Sequence, residues 1–265
     1  MPPNDVVQHN LNVPARVNWD ESEPLPIPLV RRAGAVGIPA NPPVDTMITD
    51  PTIDTAPYRS VGKMHLKFDP LIGLNGSGWV VARRAFITAG HCVYYRDKGG
   101  WIYEAAFCPR FNIECAEKIF TVERVLTLQG WIDTTNEDDR QYDMAACVVT
   151  EPFLPSEPPL EFVVSSLPAL DYAAIGYPGP PIPAHPFNRK RMWQSAGGLY
   201  IAQNSMVWAE NDLTNGASGG PWCEPASNWV VGGLTSARLT DDPNLAVSPV
   251  LGQGFENLYN AVKNL

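Results

Sequence analysis

Short apolar runs separated by turn residues dominate the chain from Tyr58 onward, and they constrain its fold more than any other feature. Each run has the length of a β-strand and is rich in β-branched and aromatic residues, and no long helical period interrupts the series. The pattern predicts an all-β sandwich or barrel. The runs read SVGKMHLKF, SGWVVA, AFITA, IFTVERVLTL and MAACVV, and later LDYAAIGYP, GGLYIAQ, SMVWAE and NWVVGGLTS.

Two features divide this series into modules. The stretch EPFLPSEPPLEF, residues 151–162, carries four prolines, which break any strand and are typical of a linker. We therefore predict one β module over residues 46–155 and a second over residues 156–265. Near the end of the chain, apolar residues recur at i, i+3, i+4 and i+7, which predicts a terminal helix with one buried face. These residues are Phe255, Leu258, Tyr259 and Val262.

Residues 1–45 are rich in proline and lack a sustained period, as in ESEPLPIPLV and GIPANPPVD. Such a segment predicts an extended leader or pro-segment that packs weakly on the β modules or lies along their surface. We expect proteolysis to remove it while the core stays folded. The dibasic pair Arg31-Arg32 within it is either a processing site or a solvated pair of arginines.

Composition narrows the function classes. With 265 residues, 45% of them hydrophobic and 18% charged, the chain is globular and has ample material for a core. The formal charge of −9 argues against nucleic acid as a partner, because phosphate binding needs a basic face. No apolar run reaches 18 residues, so no membrane partner is expected. The first residues do not resemble a secretion signal, which leaves the compartment open, and we expect a monomer.

Five cysteines stand at positions 92, 108, 115, 147 and 223. They form no C-x-x-C pair, which argues against a structural zinc site, and we expect neither a metal nor another cofactor. Cys108 and Cys115 bracket a short loop and could form a disulfide, and the odd count leaves at least one free thiol. An acidic stretch fits a solvated loop better than a calcium site. That stretch contains Asp133, Glu137, Asp138 and Asp139.

Two short stretches have the composition of a catalytic site. TAGHC places His91 at the end of an apolar run, and TNGASGGPWC places Ser218 among glycines, where the backbone can turn tightly and expose its N–H groups. Taken alone, each also fits a core histidine or an ordinary loop. The G-x-S-x-G elbow of α/β-hydrolases is excluded because its histidine follows the serine, and the last histidine here is His185. The order His, Asp, Ser remains open.

The best acid between His91 and Ser218 is Asp143, at the head of the apolar run MAACVV, whereas Asp138 and Asp139 lie in a polar stretch. We predict that His91 is the base that activates Ser218, and that Asp143 fixes the imidazole tautomer. The backbone N–H groups of Gly216 and Ser218 would form the oxyanion hole. The His91 ring should then lie within hydrogen-bond reach of both Ser218 Oγ and the Asp143 carboxylate.

TAGHC, YDMA and GASGGP resemble the three signature segments of trypsin-like serine endopeptidases, and the similarity runs from about residue 55 to the end of the chain. Within that group the chain most resembles the bacterial glutamyl endopeptidase branch, through TAPYRSVGKM, GSGWVVARRAFITAGHCVY, GYPG and MWQSAGG. The resemblance implies two six-stranded antiparallel β-barrels of the chymotrypsin type with a C-terminal helix. It places the triad in the crevice between the barrels, and it implies protein or peptide substrates.

Departures from that family are informative. Trypsin-like relatives bridge the cysteine after the catalytic histidine to an earlier one, and LNGSGW offers none, so Cys92 is expected to be a buried free thiol. Ala217 stands where relatives that are activated from zymogens carry an aspartate that pairs with the new N-terminus. The resemblance therefore excludes activation by that ion pair.

The resemblance also suggests which residues bind substrate. Asp212 stands six residues before Ser218, where trypsin-type enzymes keep the acid that binds Lys or Arg. The glutamyl branch uses a histidine in the following strand, where this chain has Leu234 and Thr235. Burying a substrate glutamate without a donor costs several kcal/mol, so cleavage after Lys or Arg is favoured over cleavage after Glu. An Asp212 that is structural and turned away from the pocket stays open. In glutamyl relatives a freed N-terminal amine completes the pocket, so trimming the leader could switch activity on.

Two other functions share these features. A catalytically silent binding module on a protease scaffold is one, although such proteins usually lose a triad member and here all three are present. A serine esterase is the other, because it would use the same triad on small esters and would leave peptides intact.

Overall fold

The computed structural model describes residues 2–12, 23–30, 43–115, 117–134, 137–164, 171–180, 186–201, 206–239 and 244–265. Almost all regular structure in these ranges is β, which confirms the all-β expectation. The first six strands are β1 (Val6–Asn10), β2 (Glu23–Pro24), β3 (Leu29–Val30), β4 (Val44–Ile48), β5 (Val61–Lys67) and β6 (Leu74–Ala82). Those that follow in the first half are β7 (Ala85–Thr88), β8 (Tyr94–Tyr95), β9 (Gly100–Trp101), β10 (Glu104–Pro109), β11 (Phe120–Leu128) and β12 (Ala145–Val149).

The second half continues with strands and closes with a helix. Its strands are β13 (Asp171–Gly176), β14 (Met192–Ile201), β15 (Met206–Glu210), β16 (Pro221–Glu224), β17 (Val230–Leu234), β18 (Ala237–Leu239) and β19 (Leu245–Pro249). The helices are α1 (Gln129–Asp133) and α2 (Gln253–Val262). The predicted terminal helix is confirmed, and its apolar residues Phe255, Leu258 and Val262 are buried.

Six strands close the first barrel in the order β11, β10, β5, β6, β7, β12 and back to β11, with every neighbour antiparallel. A second, barrel-like sheet runs β17, β16, β13, β14, β15, β19, β18. This is the chymotrypsin-type architecture expected from the resemblance. Buried apolar residues fill both barrels, and one cluster continues from the first barrel into strands β13, β16 and β17 of the second. Large ones include Trp79, Phe86 and Phe107 in the first barrel and Tyr172 and Trp222 in the second.

The described part of residues 1–45 lies along the barrels, which is one of the two expected arrangements, and three strand pairings hold it there. Strand β1 extends the first barrel along β11, β2 pairs with β6, and β3 pairs with β18 of the second sheet. Short extended pieces need no period of their own when an existing sheet edge supplies their hydrogen bonds. Arg31 and Arg32 lie outside the described residues.

Two elements cross between the predicted modules. Strand β4 pairs with β14 of the second sheet, although it lies at the predicted start of the first module. Helix α2 packs on the first barrel, where Phe255 stacks on Trp79 with ring centroids 6.1 Å apart. Each half of the chain therefore contributes one element to the other barrel. Strand β4 binds at a sheet edge there, and α2 packs on an apolar face.

The cysteines behave as the sequence predicts. Cys108 and Cys115 form a disulfide, and Cys92, Cys147 and Cys223 are free and buried. Burial raises the pKa of the Cys92 thiol to about 12 and also raises the pKa of the Cys147 thiol well above its usual value, so neither is a reactive thiolate. Among the described residues, no three His, Cys, Asp or Glu side chains gather as a metal site would require. No helix in the described ranges is long and apolar enough to cross a membrane.

Candidate active site

His91 and Asp143 meet because their strands are neighbours. Strand β7 ends at Thr88 and leads into a 3-10 turn, Gly90–Cys92, that carries His91. Strand β12 begins at Ala145, opposite Thr88 in the antiparallel register, just after Asp143. Two antiparallel neighbours bring the end of one strand to the start of the other, so both side chains lie at the same barrel edge.

The Asp143 carboxylate is fully buried and fixed by several donors. Oδ1 accepts the backbone N–H of His91 at 2.7 Å, and Oδ2 lies 2.9 Å from His91 Nδ1. Oδ2 also accepts the Ser236 hydroxyl at 2.5 Å and Arg140 Nη1 at 3.4 Å. Burial by itself would raise the pKa of Asp143, but His91, Arg140 and Ser236 together hold that pKa below its usual value. The ionised carboxylate makes Nδ1 the donor and directs His91 Nε2 toward the cleft.

Ser218 lies in a tight loop between β15 and β16 that contains two left-handed glycines, Gly216 with φ +93° and Gly219 with φ +83°. The Ser218 carbonyl accepts the backbone N–H of Ser77 in β6, at 2.8 Å, which ties the loop to the first barrel. Ser218 Oγ and His91 Nε2 are both buried, and neither has a hydrogen-bond partner among the described residues. The structure thus forms the His91–Asp143 contact and leaves the expected Ser218–His91 hydrogen bond unmade.

The backbone N–H of Gly216 points into the cleft. It donates to the carbonyl oxygen of Leu25, at 3.0 Å, so a peptide carbonyl already lies at the position predicted for the oxyanion hole. A Cβ at Gly216 would lie 2.6 Å from the carbonyl oxygen of Tyr177. Only glycine permits both this close approach and the positive φ that orients the N–H.

Asp212 is buried at the floor of the second barrel and is engaged by its neighbours. Ser195 Oγ donates to Asp212 Oδ1 at 3.2 Å, and Arg238 Nη1 donates to the Asp212 carbonyl oxygen at 2.8 Å. Asp45, carried by β4, is in hydrogen-bond contact with Asp212. Burial, and then the neighbouring Asp212, raise the pKa of Asp45 to about 7, so its protonated form can share a proton with Asp212.

The other two predicted pocket residues serve the barrel. The side chain of Leu234 belongs to the apolar core, and its backbone N–H donates to Ser248 Oγ at 2.8 Å. Thr235 Oγ1 accepts Trp222 Nε1 at 3.0 Å. These contacts hold β17 and the residue after it against neighbouring strands. The Thr235 backbone also bonds the loop of Ser218, because it accepts the Gly219 N–H at 2.8 Å and donates to the Gly220 carbonyl oxygen at 2.9 Å. The calcium alternative gains no support, because Asp133 accepts Gln129 Nε2 at 2.7 Å, and the side chains of Glu137 and Asp138 lie outside the described residues.

Sequence reasoning missed several partners of the site. Ser236 and Arg140 both donate to Asp143, and Arg238 and Asp45 surround Asp212. For Ser236, the signal available in the sequence was its position directly after the apolar run that ends at Thr235. The alternation of proline with other residues in ESEPLPIPLV was the signal for Leu25, because such segments bind grooves readily in extended form.

Comparisons with known proteins support the fold and the kinship. No protein-family model matches the chain. A curated glutamyl endopeptidase of Bacillus licheniformis is 25% identical over 186 residues, which are 69% of this chain and 54% of that protein. The chain therefore spans about half the length of this relative.

Solved structures share the architecture at lower identity. A Glu endopeptidase in complex with MPD superposes with a TM-score of 0.71 at 18% identity, over 86% of this chain and 100% of that chain. The protease Anisep from Arthrobacter nicotinovorans gives a TM-score of 0.68 at 20% identity, over 84% of this chain and 100% of that one. Signature segments, curated relative and shared architecture agree: the chain has the chymotrypsin-type fold and is similar to the glutamyl endopeptidases.

Proposed function

We propose that the protein is a serine endopeptidase that hydrolyses peptide bonds through an acyl-enzyme on Ser218. The observation that carries this proposal is a peptide backbone bound beside the serine, with the Leu25 carbonyl held by the Gly216 N–H. A site that grips a peptide carbonyl next to a serine and a buried His–Asp pair has the parts that acyl transfer needs. The curated relative, a glutamyl endopeptidase, agrees with peptide substrates.

Each residue of the site has a chemical role in this proposal. Ser218 Oγ attacks the scissile carbonyl while His91 Nε2 takes its proton and then gives that proton to the leaving amine. Asp143 stabilises the imidazolium, and the N–H groups of Gly216 and Ser218 stabilise the oxyanion by roughly 3 kcal/mol per donor. Water then attacks the acyl-enzyme with His91 again as base. The reaction needs Ser218 Oγ to come within hydrogen-bond reach of His91 Nε2.

A fluorophosphonate probe tests this function at the residue level. We expect the probe to label the folded protein on Ser218, as peptide mapping would locate it, because only an activated serine reacts. Ser218→Ala should abolish labelling, and Ser227→Ala, which changes an exposed serine, should leave it intact. The same labelling is carried out on a variant in which the buried Leu25 and Ile27 are both replaced by Asp. If neither the full chain nor this variant is labelled while folded, the protein is a silent binding module. Turnover of small esters without cleavage of casein would indicate the esterase instead.

We further infer that Asp212 supports the pocket wall and does not receive a substrate Lys or Arg. Its carboxylate is bound to Ser195 and Asp45, and its carbonyl to Arg238. Asp212→Ser should therefore change the ratio of kcat/KM between peptides ending in Lys or Arg and those ending in Glu by less than about tenfold, or 1.4 kcal/mol. The measurement uses matched peptides that differ only before the cut. A selective loss of a hundredfold for Lys and Arg would restore Asp212 as the specificity acid.

A further inference from the structure

Residues 23–30 lie along the cleft and bridge both barrels. The backbone N–H groups of Glu23 and Leu25 donate to the carbonyl oxygens of Gly73 and Asn75 at the edge of β6, both at 2.9 Å. At the far end, the N–H of Arg238 in β18 donates to the carbonyl oxygen of Pro28, at 2.9 Å. Between these ends the Leu25 carbonyl accepts the Gly216 N–H. The segment therefore occupies the space that a substrate peptide needs.

The segment runs in the wrong direction for cleavage. It is parallel to β6 at Glu23 and Pro24 and parallel to β18 at Leu29, so it passes from the first barrel to the second. A scissile bond needs its leaving nitrogen on the side of His91, which the first barrel carries. The nitrogen that follows the Leu25 carbonyl lies instead toward the second barrel. The carbonyl is held, but its leaving group is out of reach of the acid that must protonate it.

Proline spacing adapts the segment to this position. In EPLPIPLV prolines alternate with other residues up to Pro28, and the N–H groups that remain up to that point are those of Glu23, Leu25 and Ile27. All three are bonded, the last to Asn215 Oδ1 at 2.9 Å. Proline fixes φ and lacks an N–H, so the segment is extended before it binds and loses little conformational entropy. The carbonyl in the hole also belongs to a bond before proline, whose nitrogen carries no proton.

Two apolar side chains anchor the segment beside the loop that carries Ser218. Leu25 is 1% exposed and Ile27 is 5% exposed, whereas Leu29 of the same segment is 56% exposed. Burial of these two side chains favours the bound position of the segment. Ser218 and His91 belong to the site whose Gly216 N–H the segment occupies, and both are fully buried, which an enzyme waiting for substrate would not be.

We propose that residues 23–30 are an intramolecular inhibitor, bound in the reverse of the substrate direction, that blocks the cleft until the segment is displaced. This inference rests on the proposed serine endopeptidase function. Because the reversed segment is held without being cut, it persists where a substrate-like segment would be hydrolysed.

Full-length variants test the inhibitor. Leu25→Asp combined with Ile27→Asp removes both buried anchors, and Leu29→Asp is the control because it adds a negative charge to the same segment at an exposed position. We expect the double variant to raise the rate of fluorophosphonate labelling of Ser218 and the rate of peptide cleavage by at least about tenfold, since the competent fraction rises. Leu29→Asp should behave as the unmodified protein. The synthetic peptide EPLPIPLV should inhibit the double variant and stay intact by mass spectrometry, and a scrambled peptide should not inhibit.

The possible outcomes distinguish a failure of the inhibitor proposal from a failure of the proposed endopeptidase function. Equal labelling rates in the unmodified protein and the folded double variant would overturn the inhibitor while leaving the endopeptidase intact. Cleavage of EPLPIPLV at the Leu25 carbonyl position would overturn the reversed direction. Absence of labelling in every folded variant would overturn the endopeptidase itself. Circular dichroism of each variant establishes that it is folded.

Discussion

Replacing Ser218 or His91 by alanine is expected to lower kcat for peptide hydrolysis by about 10⁴- to 10⁶-fold. The serine at its ordinary pKa is a weak nucleophile, and without the imidazole no base remains within reach of it. Because the two residues act as a unit, the double variant should lose little more than either single one. Asp143→Asn should cost about 10⁴-fold, since an amide favours the wrong imidazole tautomer.

Steady-state kinetics measure these losses in the background of the Leu25→Asp, Ile27→Asp double variant. Ser227→Ala is the control for replacing a serine at the surface. Thermal melts should show that Ser218→Ala stays folded, because the Ser218 contact to Ser77 uses the backbone and not the hydroxyl. Near-normal peptidase activity in folded Ser218→Ala would remove the serine from the mechanism. Additive losses in the double variant would argue that the two residues act independently.

Gly219→Ala is expected to destabilise the fold by at least about 3 kcal/mol. A Cβ at Gly219 would lie 2.1 Å from Thr88 Oγ1 and 2.5 Å from the Ser77 carbonyl oxygen, and its φ of +83° is itself costly for alanine. Gly99→Ala separates the two effects, because Gly99 has φ +93° and no atom within 4 Å of its Cβ position. That control should cost only about 1–2 kcal/mol.

Urea unfolding of both glycine variants gives the comparison through the shift in midpoint at constant m-value. Equal destabilisation would mean that backbone strain alone accounts for the effect and that the loop after Ser218 can move away from Thr88 without cost. A larger loss for Gly219→Ala would show that the loop after the nucleophile is packed against the end of β7, the strand that leads to His91.

Local pattern was enough to predict the strands, the terminal helix and Cys108–Cys115 as the pair that could form a disulfide, and the free Cys92 followed from the resemblance. These features depend on side-chain period, spacing and chain proximity, all of which a sequence displays. His91 and Asp143 could be paired in advance because the family order assigns them to two strand ends, and the antiparallel register of β7 and β12 then brings them together. The roles of Ser218 and the oxyanion hole remain predictions.

The neighbours of Asp212 could not be predicted in the same way. Asp45 reaches it on a five-residue strand that pairs with β14, and no local period marks either the strand or its partner. The binding of residues 23–30 depends on two sheet edges that exist only after both barrels have formed. Intrinsic strand propensity does not predict such pairings, because the stabilising energy comes from contacts with the partner strand. The resemblance begins at about residue 55, so it covered neither segment.

Because the two barrels exchange elements, cleavage of the chain between them would affect both halves. A break in the proline-rich connection would give one fragment that carries β4, which belongs on β14, and another that carries α2, which belongs over Trp79. Each fragment would keep the strands that close its own barrel, but it would lack an element that packs on that barrel in the whole chain and would carry one that packs on the other. The pair is therefore suited to fragment complementation, in which two inactive chains regain a shared cleft only by reassembling.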